Sequence, residues 1–143
     1  CKPKIGMRTG NNKRFLRTWS EVSKGNLSTD CESAEEVFDN DTKWIPYDKG
    51  GGFRKWYGNK TFVVNWENDG EEVKEATRKK YPELDSLGWK ISNEDEYFNE
   101  SVTWTLISSG SFGARSSPKA LFTMLGDPLY FQMETQNTIF YHF

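Results

Sequence analysis

Residues 43–70 read KWIPYDKGGGFRKWYGNKTFVVNWENDG. Lys60–Trp66, KTFVVNW, is rich in β-branched and aromatic residues and predicts a strand. Lys43–Tyr47 predicts another, entering a loop at Pro46. Between them, Asp48–Phe53 is a glycine-rich loop followed by the basic pair Arg54-Lys55 and the aromatic pair Trp56-Tyr57. Asn68 or Asp69 is expected to cap a helix running to about Tyr81, with Pro82 as its stop. Val73, Ala76 and Tyr81 fall on one side of that helix, and Glu75 and Lys79 are spaced to pair at i,i+4.

Outward from this stretch the signals are shorter. Gly10-Asn11-Asn12 marks a turn, since Gly and Asn tolerate positive φ. Arg14–Val22 reads as a strand, with a short helix as the competing reading. Ser23–Thr29 reads as loop, and Ser33 with Glu36 fits a capping box opening a short helix, Ser33–Phe38. Val102–Ile107 predicts a second clear strand, Ser108–Pro118 a Ser/Gly loop, and Ala120–Leu125 and Thr138–Phe143 two further strands. The sum is an α+β chain with a mixed or antiparallel sheet and a few short helices.

Composition bounds the function. The 143 residues suit a single domain, 1–143, or a fragment of one. Because the chain begins at Cys1 and not at Met, the expectation is a piece of a longer or processed protein. Ten Phe, six Trp and six Tyr can supply most of the buried area. No apolar run approaches the roughly 18–20 residues that cross a bilayer, and the start has no apolar signal segment. With Cys1 and Cys31 alone, a reducing compartment is the expectation over a disulfide framework. The sequons at Asn26, Asn40, Asn59 and Asn99 point the other way, as weak signals of secretion.

The net charge is −2, against a generally basic nucleic-acid binder. The distribution is uneven. Lys2–Arg17 carries Lys2, Lys4, Arg8, Lys13, Arg14 and Arg17 with no acid, Lys43–Lys60 is again basic apart from Asp48, and acids dominate Glu67–Glu100. Either a phosphate-facing side with an acidic back or ordinary solvated faces gives this pattern.

The chemistry-bearing motifs are few. The chain has neither a Gly-rich turn after a strand that could hold a nucleoside cofactor nor an Asn/Asp-Pro-Pro-aromatic loop that could grip a flipped-out base. Asp127-Pro128-Leu129-Tyr130 has Leu where the second Pro belongs and reads as an ordinary turn. The Asp48–Phe53 loop lacks the Gly-Lys-Ser/Thr ending of a phosphate-binding loop and opens no helix. Its glycines let the backbone approach a large partner or serve a structural turn. Trp56, Tyr57 and Trp66 can stack on a base. Trp66, in a strand, is better read as core, as are Trp44 and Trp104, and either Trp56 or Tyr57 is expected to be exposed. His142 has no partner for zinc or a catalytic triad, and Ser108, Ser109 and Ser111 have no base nearby in sequence. No catalytic, metal or cofactor residue is assigned.

Lys43–Gly70 resembles a signature of the large adenine-specific DNA methyltransferases of bacterial BREX phage-defence systems, the PglX type. Two further segments carry the resemblance. Ile5–Arg17 contains a Gly-x-x-Thr-Gly-x-Asn pattern, which recurs more loosely in Type IIG restriction-modification proteins. Ser101–Ile107 continues through Phe112, Arg115, Ser116, Pro118 and Lys119. Together they cover most of residues 5–124. Thr77–Tyr97 is unmatched, and Gly126–Phe143 departs from the pattern.

The resemblance implies the region after the catalytic domain, similar to a target-recognition domain, with the catalytic domain absent. It implies a DNA-recognition part of a site-specific N6-adenine methyltransferase, inert by itself. Double-stranded DNA is the implied partner, with other phage-defence proteins as further candidates. S-adenosylmethionine is implied for the parent enzyme only, and the bacterial cytoplasm as the setting. The residues expected to meet DNA are Arg8, Asn11, Asn12, Arg14, Lys49, Arg54, Lys55, Trp56, Tyr57 and Asn59. Two other readings stay open: a protein-protein scaffold segment of a defence complex, and an extracellular carbohydrate- or protein-binding module. Target sequence and oligomeric state are not legible.

Overall fold

The computed structural model describes residues 3–28, 42–104, 111, 113–117, 120–122 and 130–132. The fold is α+β, with two four-stranded sheets in place of the single sheet expected. The first grows from the quoted stretch. Strands β3 (Trp44–Asp48) and β4 (Phe62–Asn65) run antiparallel, with Ile45 opposite Val64 and Tyr47 opposite Phe62. Ile45 and Tyr47 alternate into the core, as a half-buried strand requires. Val63 and Val64, neighbours that point to opposite faces of the sheet, are both buried. On its far side β4 pairs with β2 (Leu16–Thr18), and β3 pairs in parallel with β7 (Leu121–Phe122).

The second sheet is antiparallel. Strand β5 (Ser101–Trp104) pairs with β6 (Ala114–Ser117) on one side and β8 (Tyr130–Gln132) on the other, and β8 also pairs with β1 (Pro3–Lys4).

Helix α2 (Glu67–Lys80) covers the first sheet. Val73 and Thr77 are buried and Ala76 packs beside them, a one-sided apolar stripe at helical spacing. Trp66 is 1% exposed and meets Tyr97 edge-to-face, with ring centroids 5.6 Å apart. Met7, Phe15 and Leu121 close the same core, and the Tyr47 hydroxyl donates to the Met7 carbonyl at 3.0 Å.

Several expectations need correction. Arg14–Val22 is not one strand. Helix α1 (Asn12–Phe15) comes first, and only Leu16–Thr18 is extended before a 3-10 turn at Trp19–Glu21. The reason is capping at both points. The Asn11 side chain accepts from the Arg14 N–H at 3.1 Å, and the Glu21 carboxylate accepts from the Thr18 N–H at 2.7 Å. Asn68 and Asp69 do not cap α2. With Gly70 they form a left-handed turn (φ 51°, 57° and 69°), and the right-handed helix begins at Glu71. Asn-Asp-Gly is a turn signal, and all three residues tolerate that conformation better than most.

The segment 114–117, expected as loop, is strand β6. Ala-Arg-Ser-Ser has little strand propensity of its own, and it is extended because β5 supplies its ladder. Lys24–Asn26, inside the expected loop 23–29, forms a 3-10 turn. The other strands lie where expected: Trp44–Asp48 and Phe62–Asn65 within two residues of the expected bounds, and Ser101–Trp104 and Leu121–Phe122 starting within one residue of the expected Val102–Ile107 and Ala120–Leu125, whose ends lie outside the described residues. Trp44 and Trp104 are half-buried, not core. The expected helix Ser33–Phe38, the strand Thr138–Phe143, Cys1, Cys31, His142 and the Asp127-Pro128-Leu129 turn lie outside the described residues. So do Phe112, Pro118 and Lys119.

One local ion pair gives a pH test. Glu72 lies beside Arg14, whose Nε donates to it at 3.0 Å, and Asn65 Nδ2 donates to its other oxygen at 2.7 Å. The Arg14 hydrogen bond, more than any other group, holds the Glu72 carboxyl below its ordinary value of 4.5. A lowered folded-state pKa stabilises the fold above 4.5, and that contribution is lost as pH falls through the folded value. The pair is about half exposed, so its contribution is small. Thermal melts of Glu72→Gln and the parent are expected to differ slightly at pH 7 and to converge below pH 4.5.

Candidate nucleic-acid interface

The loop between β3 and β4, residues 49–61, is fixed at both ends. Asp48 ends β3 and is 6% exposed. Lys60 Nζ donates to both Asp48 carboxylate oxygens at 2.6 Å, and to Ser117 Oγ at 2.8 Å. The Ser117 hydroxyl in turn donates to Asp48. Because Ser117 belongs to β6, this ionic knot ties the first sheet to the second.

The middle of the loop is pinned as well. The Trp56 N–H donates to the Ala114 carbonyl and the Ser116 N–H to the Trp56 carbonyl, both at 2.9 Å. Trp56 thereby continues the second sheet beyond β6 as a single bridged residue. Arg115, 3% exposed, sits beneath and reaches the Arg54 carbonyl at 3.5 Å. A side chain at Gly113 would place its Cβ 2.7 Å from that carbonyl, so only glycine lets the loop lie this close.

On this floor stand Phe53, Arg54, Lys55, Trp56 and Tyr57, all exposed. Trp56 is 58% and Tyr57 77% exposed, so both aromatics face solvent where one was expected to. Lys55 Nζ lies 5.0 Å from the centre of the Trp56 ring. The arrangement is a rigid platform of two cations and three aromatic rings, able to meet phosphates and planar groups together. Lys49 lies to one side, over Phe62 at 5.5 Å. Asn59 is turned inward: it has φ 60° and its Nδ2 donates to the Gly52 carbonyl at 3.1 Å. Its side chain shapes the loop. The glycine run leads from β3 to an antiparallel return, not into a helix, so its geometry does not fit a cofactor turn.

Arg8, Asn11, Asn12 and Arg14 are elsewhere. Leu16 pairs with Val64 and Thr18 with Phe62, so α1 lies at the Asn65 end of β4 and the loop at the Phe62 end. The four residues of β4 separate them by about 10 Å or more. Asn11 caps α1, Asn12 accepts from the Thr9 hydroxyl at 2.5 Å, and Arg14 is paired with Glu72. Arg8 is half-buried against Trp89, 6.0 Å from the ring centre. Sequence reading overlooked the Asp48–Lys60–Ser117 knot and the group around Trp89. The first had a faint signal, opposite charges at the two ends of one loop. Among the described residues no cluster of three or more His, Cys, Asp or Glu could hold a metal, and no helix is long and apolar enough to cross a membrane.

No family model matches the chain. It is 44% identical over 113 residues to the adenine-specific methyltransferase PglX of Lacticaseibacillus casei (strain Zhang), an alignment covering 79% of this chain and 9% of that protein. It is 33% identical over 127 residues to the adenine-specific methyltransferase BrxX of Escherichia coli O9:H4 (strain HS), covering 88% of this chain and again 9% of the relative. The chain thus spans about a tenth of the length of the curated relatives it matches.

Proposed function

Because the chain is homologous to one segment of the adenine-specific methyltransferases, the family its sequence resembles, we propose that it is a DNA-contacting part of such an enzyme. In this reading it holds the duplex while the remainder of the parent, with S-adenosylmethionine as methyl donor, modifies adenine in the bacterial cytoplasm. The segment would serve phage defence by helping to select the site that is methylated. Recognition and chemistry would be divided, and this chain would carry no catalytic group.

The observation that carries the reading is the pinned loop Lys49–Asn59. Arg54 and Lys55 stand exposed beside exposed Trp56 and Tyr57, and Lys49 lies at the loop's base. Cations next to aromatic faces are the side chains that hold a nucleic-acid backbone and its bases. Holding the backbone at Ala114 and Ser116 lowers the ordering cost on binding.

Fluorescence anisotropy with a labelled duplex at two salt concentrations tests this. Parent binding is expected to weaken with salt. Arg54→Ala/Lys55→Ala is expected to bind more weakly, and to lower the slope of log K against log salt by about 2, one for each lost phosphate contact. A folded chain that ignores DNA at low salt would sink the reading. Exposed Phe53, Trp56 and Tyr57 would then fit a surface for another protein of the defence system.

A further inference from the structure

An open cleft lies between the start of α1 and the last turn of α2, at the opposite end of β4 from the loop. Its walls include Arg8, Arg14, Lys80 and Lys90, and among the described residues no carboxylate lines it. Lys80 has an ordinary role there, since cations complement the C-terminal end of a helix. Arg14 is paired with Glu72, whereas Arg8 and Lys90 are not so explained. Arg8 Nε is buried and has no hydrogen-bond partner among the described residues, which is costly for part of a guanidinium.

The cations are held in place by rings. Lys90 Nζ lies 4.1 Å from the centre of Trp89 and 4.7 Å from that of Tyr81, and the two rings meet edge-to-face at 6.0 Å. Arg8 covers Trp89 as well. These contacts cost the cations little of their capacity to bind an anion, because cation–π attraction leaves the N–H groups available. The Tyr81 phenol is held below its ordinary value of 10.0, first by a hydrogen bond from Lys90, with Lys80 adding to it.

We propose that this cleft is an oxyanion site that takes a phosphate group, with the Arg8 guanidinium, Lys80 and Lys90 supplying the charge. The site is separate from the basic loop and does not depend on it. Phosphate of a polynucleotide and phosphate of a free compound share the chemistry, and the experiment separates them.

The 143-residue chain, labelled with ¹⁵N, is titrated with tripolyphosphate while the Arg8 Nε–H resonance is followed. The resonance is expected to move and saturate. Lys80→Ala/Lys90→Ala is expected to weaken the titration roughly tenfold, the loss of strong charged contacts, whereas Arg54→Ala/Lys55→Ala leaves it unchanged. An Arg8 Nε–H that stays in place in the parent overturns the proposal without reference to any variant, and so does equal weakening by the loop variant. A duplex that displaces tripolyphosphate and moves the same resonance identifies polynucleotide phosphate as the ligand. A duplex that leaves tripolyphosphate bound identifies a free phosphate compound. Loss of duplex binding in the loop variant alone bears only on the reading of the loop.

Discussion

Gly70→Ala is expected to lower the melting temperature by about 10 °C. Two costs add. Gly70 has φ +69°, where an L side chain is strained, worth about 1–2 kcal/mol. Its new Cβ would also lie 2.6 Å from Cε3 and Cζ3 of Trp66. That indole cannot step aside. It is 1% exposed, packed edge-to-face on Tyr97, with Lys74 Nζ 5.4 Å from its ring centre. Forcing a methyl group into so tight a core adds about 1–3 kcal/mol. A sum of roughly 2–5 kcal/mol, at a few degrees per kcal/mol, gives the stated drop. Asn68→Ala separates the two costs. Asn68 is left-handed too but exposed, so it should lose only the conformational part, about 1 kcal/mol. A Gly70→Ala protein melting within about 2 °C of the parent would mean that the left-handed turn does not lie against Trp66.

Asp48→Ala is expected to cost about 3 kcal/mol in urea denaturation, the lower end for breaking a buried ion pair. The lower end applies because Lys60 keeps 35% of its side chain exposed and so keeps part of its hydration. Removing Asp48 leaves the ammonium on the Ser117 hydroxyl and takes the carboxylate out of the tie between the sheets. Lys60→Met, which strands the buried carboxylate instead, should cost a similar amount. Asp48→Ala/Lys60→Met should cost far less than the sum, since neither charge is then left unpaired. A double variant that loses the full sum of the two single losses would show that the groups act independently. The same substitution should weaken duplex binding, because the loop that carries Arg54 and Lys55 loses its anchor at both ends.

How much was legible varied with distance along the chain. The hairpin strands Trp44–Asp48 and Phe62–Asn65 stand out because aromatic and β-branched residues are concentrated there. Trp66 reads as core for the same reason. Arg54, Lys55, Trp56 and Tyr57 are found together because they are neighbours in sequence. By contrast, β6 is invisible in Ala-Arg-Ser-Ser, and β8 falls in a segment with no recognisable pattern. Arg8 and Trp89 come together only when Arg8 donates its backbone N–H to the Lys90 carbonyl at 2.7 Å. The expected contacts Asn11, Asn59 and Arg14 look free in sequence and are occupied within the protein.

By itself the sequence determined what a few adjacent residues decide: the central hairpin, the turn at Gly10-Asn11, the mixed basic and aromatic character of the loop, and the kinship with a segment of the methyltransferases. Local backbone preference and burial pattern act over one or two turns of chain, so they can be read there. The tertiary structure alone decided which side chains are spent and which remain available. It sent Lys60 to Asp48 and Ser117, placed Arg115 beneath the loop, and set Arg8 beside Lys80 and Lys90 at the far end of β4. Those outcomes depend on pairings between residues tens of positions apart, where a charge finds its partner only after the chain has closed around it.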